Sequence, residues 1–277
     1  MNNIYYFFVV LFCLFVFFLC WHRQKEVLKK HLQEFSVNHP DVPKIKILIA
    51  GQVGAGKSSF INSVNNAFRG RITSEALVDQ SSGKSFTKSL KSHRVRGADG
   101  DLPFVLTDIM GLEPNVLEGS QPEDIINAIY GHVKDEYKVI NHVSEDYISD
   151  PLLSDQAFCL VYVVNANTIQ YASDRLVDKL RIIRKRISDK RIPQVIIMTK
   201  VDEACPLVYD DLKKVYTSKS VKEKVNHMIG VPMNCIFPVK NYHNEIEVDN
   251  DVDVLILKAF DQIVNFANDR LREAASN

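Results

Sequence analysis

The stretch of this 277-residue chain whose spacing most directly indicates chemistry is GQVGAGKS, which begins at Gly51. Two glycines separated by four residues and followed by lysine and serine form the GxxxxGK[ST] pattern of a phosphate-binding loop. Gly51, Gly54 and Gly56 allow the unusual backbone dihedral angles that turn N–H groups toward an anion. Lys57 would contact the outer phosphates, and Ser58 would offer its hydroxyl to Mg²⁺. The stretch therefore predicts a site for a nucleoside phosphate.

The surroundings of this loop agree with that prediction. KIKILIA (44–50) is an apolar run typical of a strand, and 58–68 has apolar residues at the spacing of a helix. Strand, glycine loop and helix in this order are the context that the motif requires, whereas a glycine-rich turn without a ligand needs neither neighbour. The predicted phosphate-binding residues are Gly51, Val53, Gly54, Ala55, Gly56, Lys57, Ser58, Ser59 and, from a later segment, Gly111.

A second motif, TDIMGL, ends a predicted strand with Asp108 and places Gly111 three residues later. The carboxylate of Asp108 would hold Mg²⁺ through water, and the Gly111 N–H would face a terminal phosphate. A threonine from the intervening loop would complete the metal shell. Thr87, about twenty residues before Asp108, suits that role, and Thr73 is its rival. The predicted metal-contacting residues are Ser58, Thr87 and Asp108.

A third motif, TKVD, follows a later predicted strand and supplies Asp202. A carboxylate at this point accepts hydrogen bonds from N1–H and N2–H of guanine, and adenine lacks that pair of donors. Lys200 would pack along the base, and the segment VKNYHNE (239–245) would cover the base from the opposite side. The predicted guanine-binding residues are Thr199, Lys200, Asp202, Lys240 and Asn241, and no residue is assigned a catalytic role.

The elements that carry these motifs alternate between strand and helix. Further buried strands are predicted at 103–108, 157–164, 193–199 and 235–239, and helices at 174–187 and 252–274 among others. This alternation predicts an α/β fold with a mostly parallel sheet covered by helices on both faces. Residues 113–156 are too many for a simple connection, so we expect a helical insert there.

The first residues form a separate, strongly apolar segment. Residues 4–20 contain 17 residues without a charge, which predicts a membrane-spanning helix within 1–21. A cleaved secretory signal is the alternative, but no basic residue precedes the run. Arg23, Lys25 and the lysines after them follow it, which predicts a single-pass anchor with the rest of the chain in the cytosol. A short span favours a thin bilayer such as the endoplasmic reticulum.

Charge and cysteine content indicate which partners and which cellular compartment to expect for this protein. Lysine plus arginine (34) equals aspartate plus glutamate (34), so there is no basic excess to indicate nucleic-acid binding. The five scattered cysteines are read as free thiols in a reducing compartment. Residues 22–43 are charged and end at prolines, and are interpreted as a linker before a domain at 44–277.

Phosphate loop, DxxG and TKxD in this order resemble the G domain of P-loop GTPases. The stretches GQVGAGKSSFINSVNNAFRGRIT, DIMGLE, GHVKDEY, TKVDEACP and PVKNYHNE are similar to the interferon-induced protein 44 family. The resemblance implies a short member of that family that binds GTP or GDP with Mg²⁺ and takes part in antiviral and innate immune responses. Self-association through the nucleotide face is a further expectation for GTPases with large inserts.

Three residues depart from the common GTPase pattern. Leu112 stands where many small GTPases have the glutamine that orients water, and Val53 stands where they often have glycine. Both predict a weak GTPase whose hydrolysis is slow or depends on a partner. Thr199 replaces the more common asparagine and would tie the loops together with less reach. The alternatives are a GTP-binding scaffold without hydrolysis, an ATP-binding P-loop protein, and a membrane adaptor with a relic loop.

Overall fold

A computed structural model describes residues 21, 23–76, 90–113, 119–135, 147–216 and 230–275. Within this part of the chain, six strands form one sheet. The strands are β1 (Ile45–Gly51), β2 (Lys91–Arg96), β3 (Asp101–Asp108), β4 (Cys159–Asn165), β5 (Gln194–Thr199) and β6 (Ile236–Pro238). Their order across the sheet is β2-β3-β1-β4-β5-β6, and all neighbouring pairs are parallel except β2 and β3.

Helices cover both faces of this sheet. They are α1 (23–33), α2 (Lys57–Arg69), α3 (Pro122–Ile129), α4 (Asp174–Ser188), α5 (Val201–Ala204), α6 (Pro206–Asp210) and α7 (Asn250–Ala275). Successive residues of a strand point to opposite faces, so each central strand feeds two cores. Leu48 and Tyr162 join the core beneath α3 and α4, whereas Ile49 and Val161 join the core beneath α2 and α7. The prediction of a mostly parallel, doubly covered sheet is confirmed.

Strand β2 was not predicted from the sequence. It lies at the sheet edge and reads KSHRVR, in which only His93 and Val95 are buried. Charged side chains are common on edge strands because they discourage pairing with other chains. A strand of this kind lacks the continuous apolar run by which the five other strands were recognised.

The segment interpreted as a linker packs closely against the domain. Leu32 of α1 and Val42 are fully buried, and the Phe35 ring lies 5.3 Å from the Phe104 ring of β3. In the described part of 22–43, the chain is therefore attached to the domain core. The apolar run 4–20 lies outside the described residues. In the part of the chain that the structure describes, none of the helices combines the length and the hydrophobicity that a membrane span requires.

The described part of the expected insert is also packed. The helix α3 buries Ile125 and Ile129, and the His132 ring stacks on the Tyr147 ring at 5.4 Å. Asp135 accepts a hydrogen bond from the Ser92 hydroxyl of β2 at 2.6 Å. Of the GHVKDEY stretch (131–137), residues 131–135 are described and belong to this packed surface. The remainder lies outside the described residues.

Candidate nucleotide-binding site

The glycine loop leads from β1 into the first turn of α2. Gly54 (φ 72°) and Gly56 (φ 96°) adopt left-handed backbone conformations that residues with a Cβ rarely adopt. A Cβ on Gly51 would lie 2.2 Å from the Val163 carbonyl oxygen of β4. The loop is therefore held tightly against the sheet, and its N–H groups gather at the start of a helix, where anions bind. Ser59 follows in the first turn of α2, and its carbonyl accepts from the Ser63 hydroxyl.

Lys57 lies buried in the middle of this loop. Its Nζ donates to the carbonyl oxygens of Gly51 and Gln52, both at 3.2 Å. Burial lowers the pKa of the Lys57 ammonium, and the nearby Asp108 carboxylate opposes that decrease. Phosphate charge beside the ammonium would favour its protonated form in the same way. The loop thus holds the lysine in an environment that an anion would complete.

Two of the three predicted metal residues, Ser58 and Asp108, are brought together at the carboxyl ends of the neighbouring strands β1 and β3. Ser58 Oγ at the start of α2 donates to Asp108 Oδ2 at the end of β3, at 3.1 Å. A hydroxyl and a carboxylate oxygen are the ligands that Mg²⁺ prefers, so these two residues fit the expected metal. Their separation in the chain is 50 residues, and only the pairing of β1 with β3 places them side by side.

The two candidate switch threonines have different outcomes. Thr87 lies outside the described residues. Thr73 is described, and its hydroxyl and backbone N–H both contact Asn66 Oδ1, at 2.8 and 2.6 Å. Asn66 is eight residues beyond Ser58 on α2, or about 12 Å along the helix axis. In this conformation Thr73 cannot reach a metal at Ser58.

The segment after Asp108 continues alongside the glycine loop. Leu112 N–H donates to the Gly51 carbonyl at 2.9 Å, and the Leu112 side chain is fully buried in the core. A Cβ on Gly111 would lie 2.9 Å from the backbone nitrogen of Val53 and 2.5 Å from its side chain. Val53 therefore covers Gly111. The Leu112 side chain, at the position where many small GTPases have the glutamine that orients water, points into the protein core.

Two residues that sequence reasoning missed secure this segment from behind. The Ser120 hydroxyl donates to the Met110 carbonyl at 2.5 Å, and Lys179 of α4 donates to the Glu113 carbonyl at 2.7 Å. Neither contact has a sequence signature, because both acceptors are backbone carbonyls, which every residue provides. They fix the path of the chain beyond Gly111.

The loops expected to read the base are joined directly to the phosphate loop. Thr199 Oγ1 donates to the Ala55 carbonyl at 2.7 Å, with the Val164 carbonyl at 3.2 Å. Asn241 Nδ2 donates to the Gly56 carbonyl at 3.1 Å. Thr199 thus joins β5 to the phosphate loop, and its contact with a guanine base stays a prediction. The Asn241 side-chain amide adds a second contact that reinforces the same connection.

The remaining base-side residues follow strands β5 and β6 directly in the chain. Lys200 has a left-handed backbone (φ 56°) that turns the chain from β5 into α5, where Asp202 lies in the first turn. Lys240 Nζ lies 3.0 Å from the Glu245 carboxylate. Burial alone would raise the pKa of Glu245, but hydrogen bonds from the His243 N–H and from Lys240 lower it to about 2. The Lys240 ammonium is therefore paired with a carboxylate of its own loop.

We expect Thr199→Val to loosen the junction between the two halves of the site. The substitution keeps the shape of the side chain but leaves the buried Ala55 carbonyl without its donor. The free energy of unfolding should fall by about 1–2 kcal/mol, and GDP affinity should fall with it. Thr199→Ser retains the hydroxyl and is the control in thermal melts and GDP titrations. Equal behaviour of the two variants would show that the hydroxyl contact is unimportant.

Comparisons with known proteins place this geometry in context. The family model described as 50S ribosome-binding GTPase matches residues 46–200. Human interferon-induced protein 44-like is 34% identical over 84% of this chain and 53% of its own length. Human interferon-induced protein 44 is 34% identical over 84% of this chain and 54% of its own length. The chain thus spans about half the length of the curated relatives it matches.

A solved structure titled as a probable GTP-binding protein engB covers 81% of this chain and 99% of its own. The TM-score is 0.47 and the sequence identity is 13%, so the similarity is too loose to add information about fold or function.

Proposed function

Because this chain belongs to the GTPase family whose model matches residues 46–200, and is a relative of the interferon-induced protein 44 proteins, we propose that it is a membrane-anchored guanine-nucleotide switch. GTP and Mg²⁺ order the loops around the site, and partners recognise the ordered state. Hydrolysis is slow or depends on a partner. The relatives are named as interferon-induced proteins, which supports a role for this chain in the innate antiviral response.

The observation that carries the proposal is the junction of the phosphate loop with the base-side loops. Thr199 and Asn241 contact consecutive carbonyls of the phosphate loop, those of Ala55 and Gly56. A nucleotide bound with its phosphates around Lys57 would therefore direct its base toward the loop that carries Asp202. The carboxylate there accepts the two donors of guanine, which supports GTP and GDP over ATP.

Mg²⁺ would be held by Ser58 and Asp108, with Thr87 proposed as a further ligand. When bound, the ion would neutralise charge on the phosphates. The contribution of the protein is to keep the Ser58 hydroxyl and the Asp108 carboxylate 3.1 Å apart, and to hold the Lys57 ammonium against the loop.

Two observations support slow hydrolysis. The side chain of Leu112 lies in the core and cannot orient water, and Val53 covers Gly111 where a partner's arginine would approach. The same observations favour a second candidate function, a GTP-binding scaffold that does not hydrolyse its nucleotide. Phosphate release from the GTP-bound protein separates the two candidates, because the scaffold would release none.

The test of the proposal uses the full chain in detergent micelles, since α1 is part of the domain. Fluorescent GDP is bound in the presence of Mg²⁺ and then displaced by GTP, GDP or ATP. We expect GTP and GDP to compete and ATP to fail. Equal competition by ATP would overturn the guanine assignment, and absence of any binding would favour a membrane adaptor with a relic loop.

The membrane anchor is tested separately. The apolar run 4–20 supports a single-pass orientation with the domain in the cytosol. We expect the full chain to stay with membranes after alkaline carbonate washing, and release by the wash would contradict the anchor. Nucleotide-dependent self-association stays a prediction, to be tested by light scattering with GDP and with a GTP analogue.

We expect Leu112→Gln to leave phosphate release unchanged, although it restores the residue common in small GTPases. The side chain at 112 is buried, so the amide would enter the core without a hydrogen-bond partner. The free energy of unfolding should fall by about 2 kcal/mol. Leu112→Met, which keeps the apolar character and approximate volume, is the control. A tenfold rise in phosphate release without loss of stability would show that this side chain reaches the phosphates.

A further inference from the structure

The loop expected to cover the base (239–245) is held by a series of buried polar contacts between side chains. The last of these contacts is made by α1. The backbone of the loop is fixed at Tyr242, whose N–H donates to the Ser63 hydroxyl of α2 at 3.0 Å. The adjacent Asn241 contacts the Gly56 carbonyl. At the start of the loop, the Val239 N–H donates to the Met198 carbonyl at 2.8 Å. The position of the loop is therefore tied to both sides of the nucleotide site.

The Tyr242 side chain connects this loop to α7. Its hydroxyl lies 2.8 Å from Asp253 Oδ1 and 2.9 Å from the Asp249 carbonyl, and it accepts from the Asp249 N–H at 2.7 Å. The Tyr242 ring is buried. The carboxylate of Asp253, which is fully buried, is thus one of the groups that hold the Tyr242 hydroxyl.

The partner of Asp253 comes from α1. Lys25 Nζ lies 2.8 Å from Asp253 Oδ2, and the Lys25 side chain is itself only 17% exposed. Burial raises the pKa of the Asp253 carboxyl, and contacts from Lys25 and Tyr242 oppose that rise. A buried carboxylate that loses its cation must protonate or rearrange, because an unpaired charge is costly in the interior. Either change would weaken or alter the contact between Asp253 and the Tyr242 hydroxyl, one of the three contacts that hold this hydroxyl.

We propose that Lys25 is a positioning residue for the base-binding loop, acting through Asp253 and Tyr242. The N-terminal helix is in this view part of the nucleotide site, although it touches no nucleotide. The inference rests on the proposed function, because the loop matters only if it covers a guanine base. It also means that a perturbation of α1, which directly follows the apolar run 4–20, alters how tightly the base is held.

The test measures base-dependent and base-independent binding on the same full-length protein in detergent. Lys25→Met removes the charge and keeps most of the apolar stem. Dissociation of fluorescent GDP should become about tenfold faster, the size of coupling found within one hydrogen-bonded network. Binding of inorganic pyrophosphate with Mg²⁺ should stay within twofold, because pyrophosphate uses the phosphate loop alone. Lys25→Arg should restore the wild-type dissociation rate.

The matched control is His31→Gln. His31 Nδ1 lies 2.8 Å from Asp261 Oδ1, so it joins the same two helices without touching the base loop. We expect this variant to dissociate GDP at the wild-type rate. If His31→Gln and Lys25→Met have equal effects, α1 acts only as a general support and the proposal is overturned.

The other outcomes also decide the question. Unchanged GDP dissociation in Lys25→Met overturns the inference and leaves the proposed function intact, as does a parallel loss of GDP and pyrophosphate binding. If the wild-type protein shows no preference for guanine nucleotides, the proposed function fails and the inference fails with it. If Lys25→Met does not fold, Tyr242→Phe decides, because it removes only the hydroxyl and must accelerate GDP dissociation.

Discussion

Lys57→Ala is expected to weaken GDP and GTP binding by at least about a hundredfold, which is the loss of about 3 kcal/mol from charge-assisted hydrogen bonds to phosphate. The ammonium is buried and held by the Gly51 and Gln52 carbonyls, so it requires no reorganisation to meet the phosphates. Preorganised charges in a buried site contribute more than mobile ones at the surface. Removal of the side chain also leaves those two carbonyls without a donor.

The effect is measured by titration of fluorescent GDP into the full chain in the presence of Mg²⁺. Lys185→Ala is the control, because Lys185 is an exposed lysine on α4. Thermal melting without nucleotide separates loss of the ligand contact from loss of the fold. Retention of GDP affinity in a folded Lys57→Ala protein would show that the glycine loop is not where the phosphates bind.

Asp202→Asn is expected to change which base the protein selects. A carboxylate at this position would accept from N1–H and N2–H of guanine, whereas an amide presents one acceptor and one donor. Loss of a hydrogen bond to a charged group costs about 1.5–3 kcal/mol, so GDP affinity should fall by about 10- to 150-fold. Xanthine carries a carbonyl in place of the N2 amine and is complementary to the amide. Xanthosine diphosphate should therefore bind the variant better than GDP does.

Competition among GDP, xanthosine diphosphate and ADP against a fluorescent nucleotide measures this change. Glu203→Gln is the matched control, because Glu203 is the next carboxylate on α5 and is exposed. The ratio of affinities is the useful quantity, since it is insensitive to the fraction of folded protein. An unchanged preference for GDP in Asp202→Asn would mean that another group reads the base.

Local patterns in the sequence were sufficient to predict the elements that carry short motifs. The glycine loop between a strand and a helix depends on backbone requirements that only certain residues meet, so its identity is visible in GQVGAGKS. Five strands were recognised because each forms a nearly continuous apolar run, as strands buried on both faces do. The edge strand β2 escaped detection for the opposite reason, since its alternating charges face solvent.

The helix α1 (23–33) shows that a charged composition does not by itself indicate exposure to solvent. Its charged residues suggest a solvent-exposed linker, yet a single stripe that includes Leu32 is buried, and Lys25 finds a carboxylate inside the protein. The cost of burying a charge depends on its partner, and Asp253 lies 228 residues away in the chain. No local pattern contains that information.

The sequence by itself determined which groups are predicted to contact phosphate, Mg²⁺ and guanine, because those predictions follow from the chemistry of single residues in short motifs. Only the tertiary structure decided how these groups are connected. It pairs Ser58 with Asp108, joins Thr199 and Asn241 to the phosphate loop, and buries Leu112 in the core. The physical reason is that hydrogen bonds to backbone carbonyls and the direction of a buried side chain depend on strand pairing and packing between distant segments.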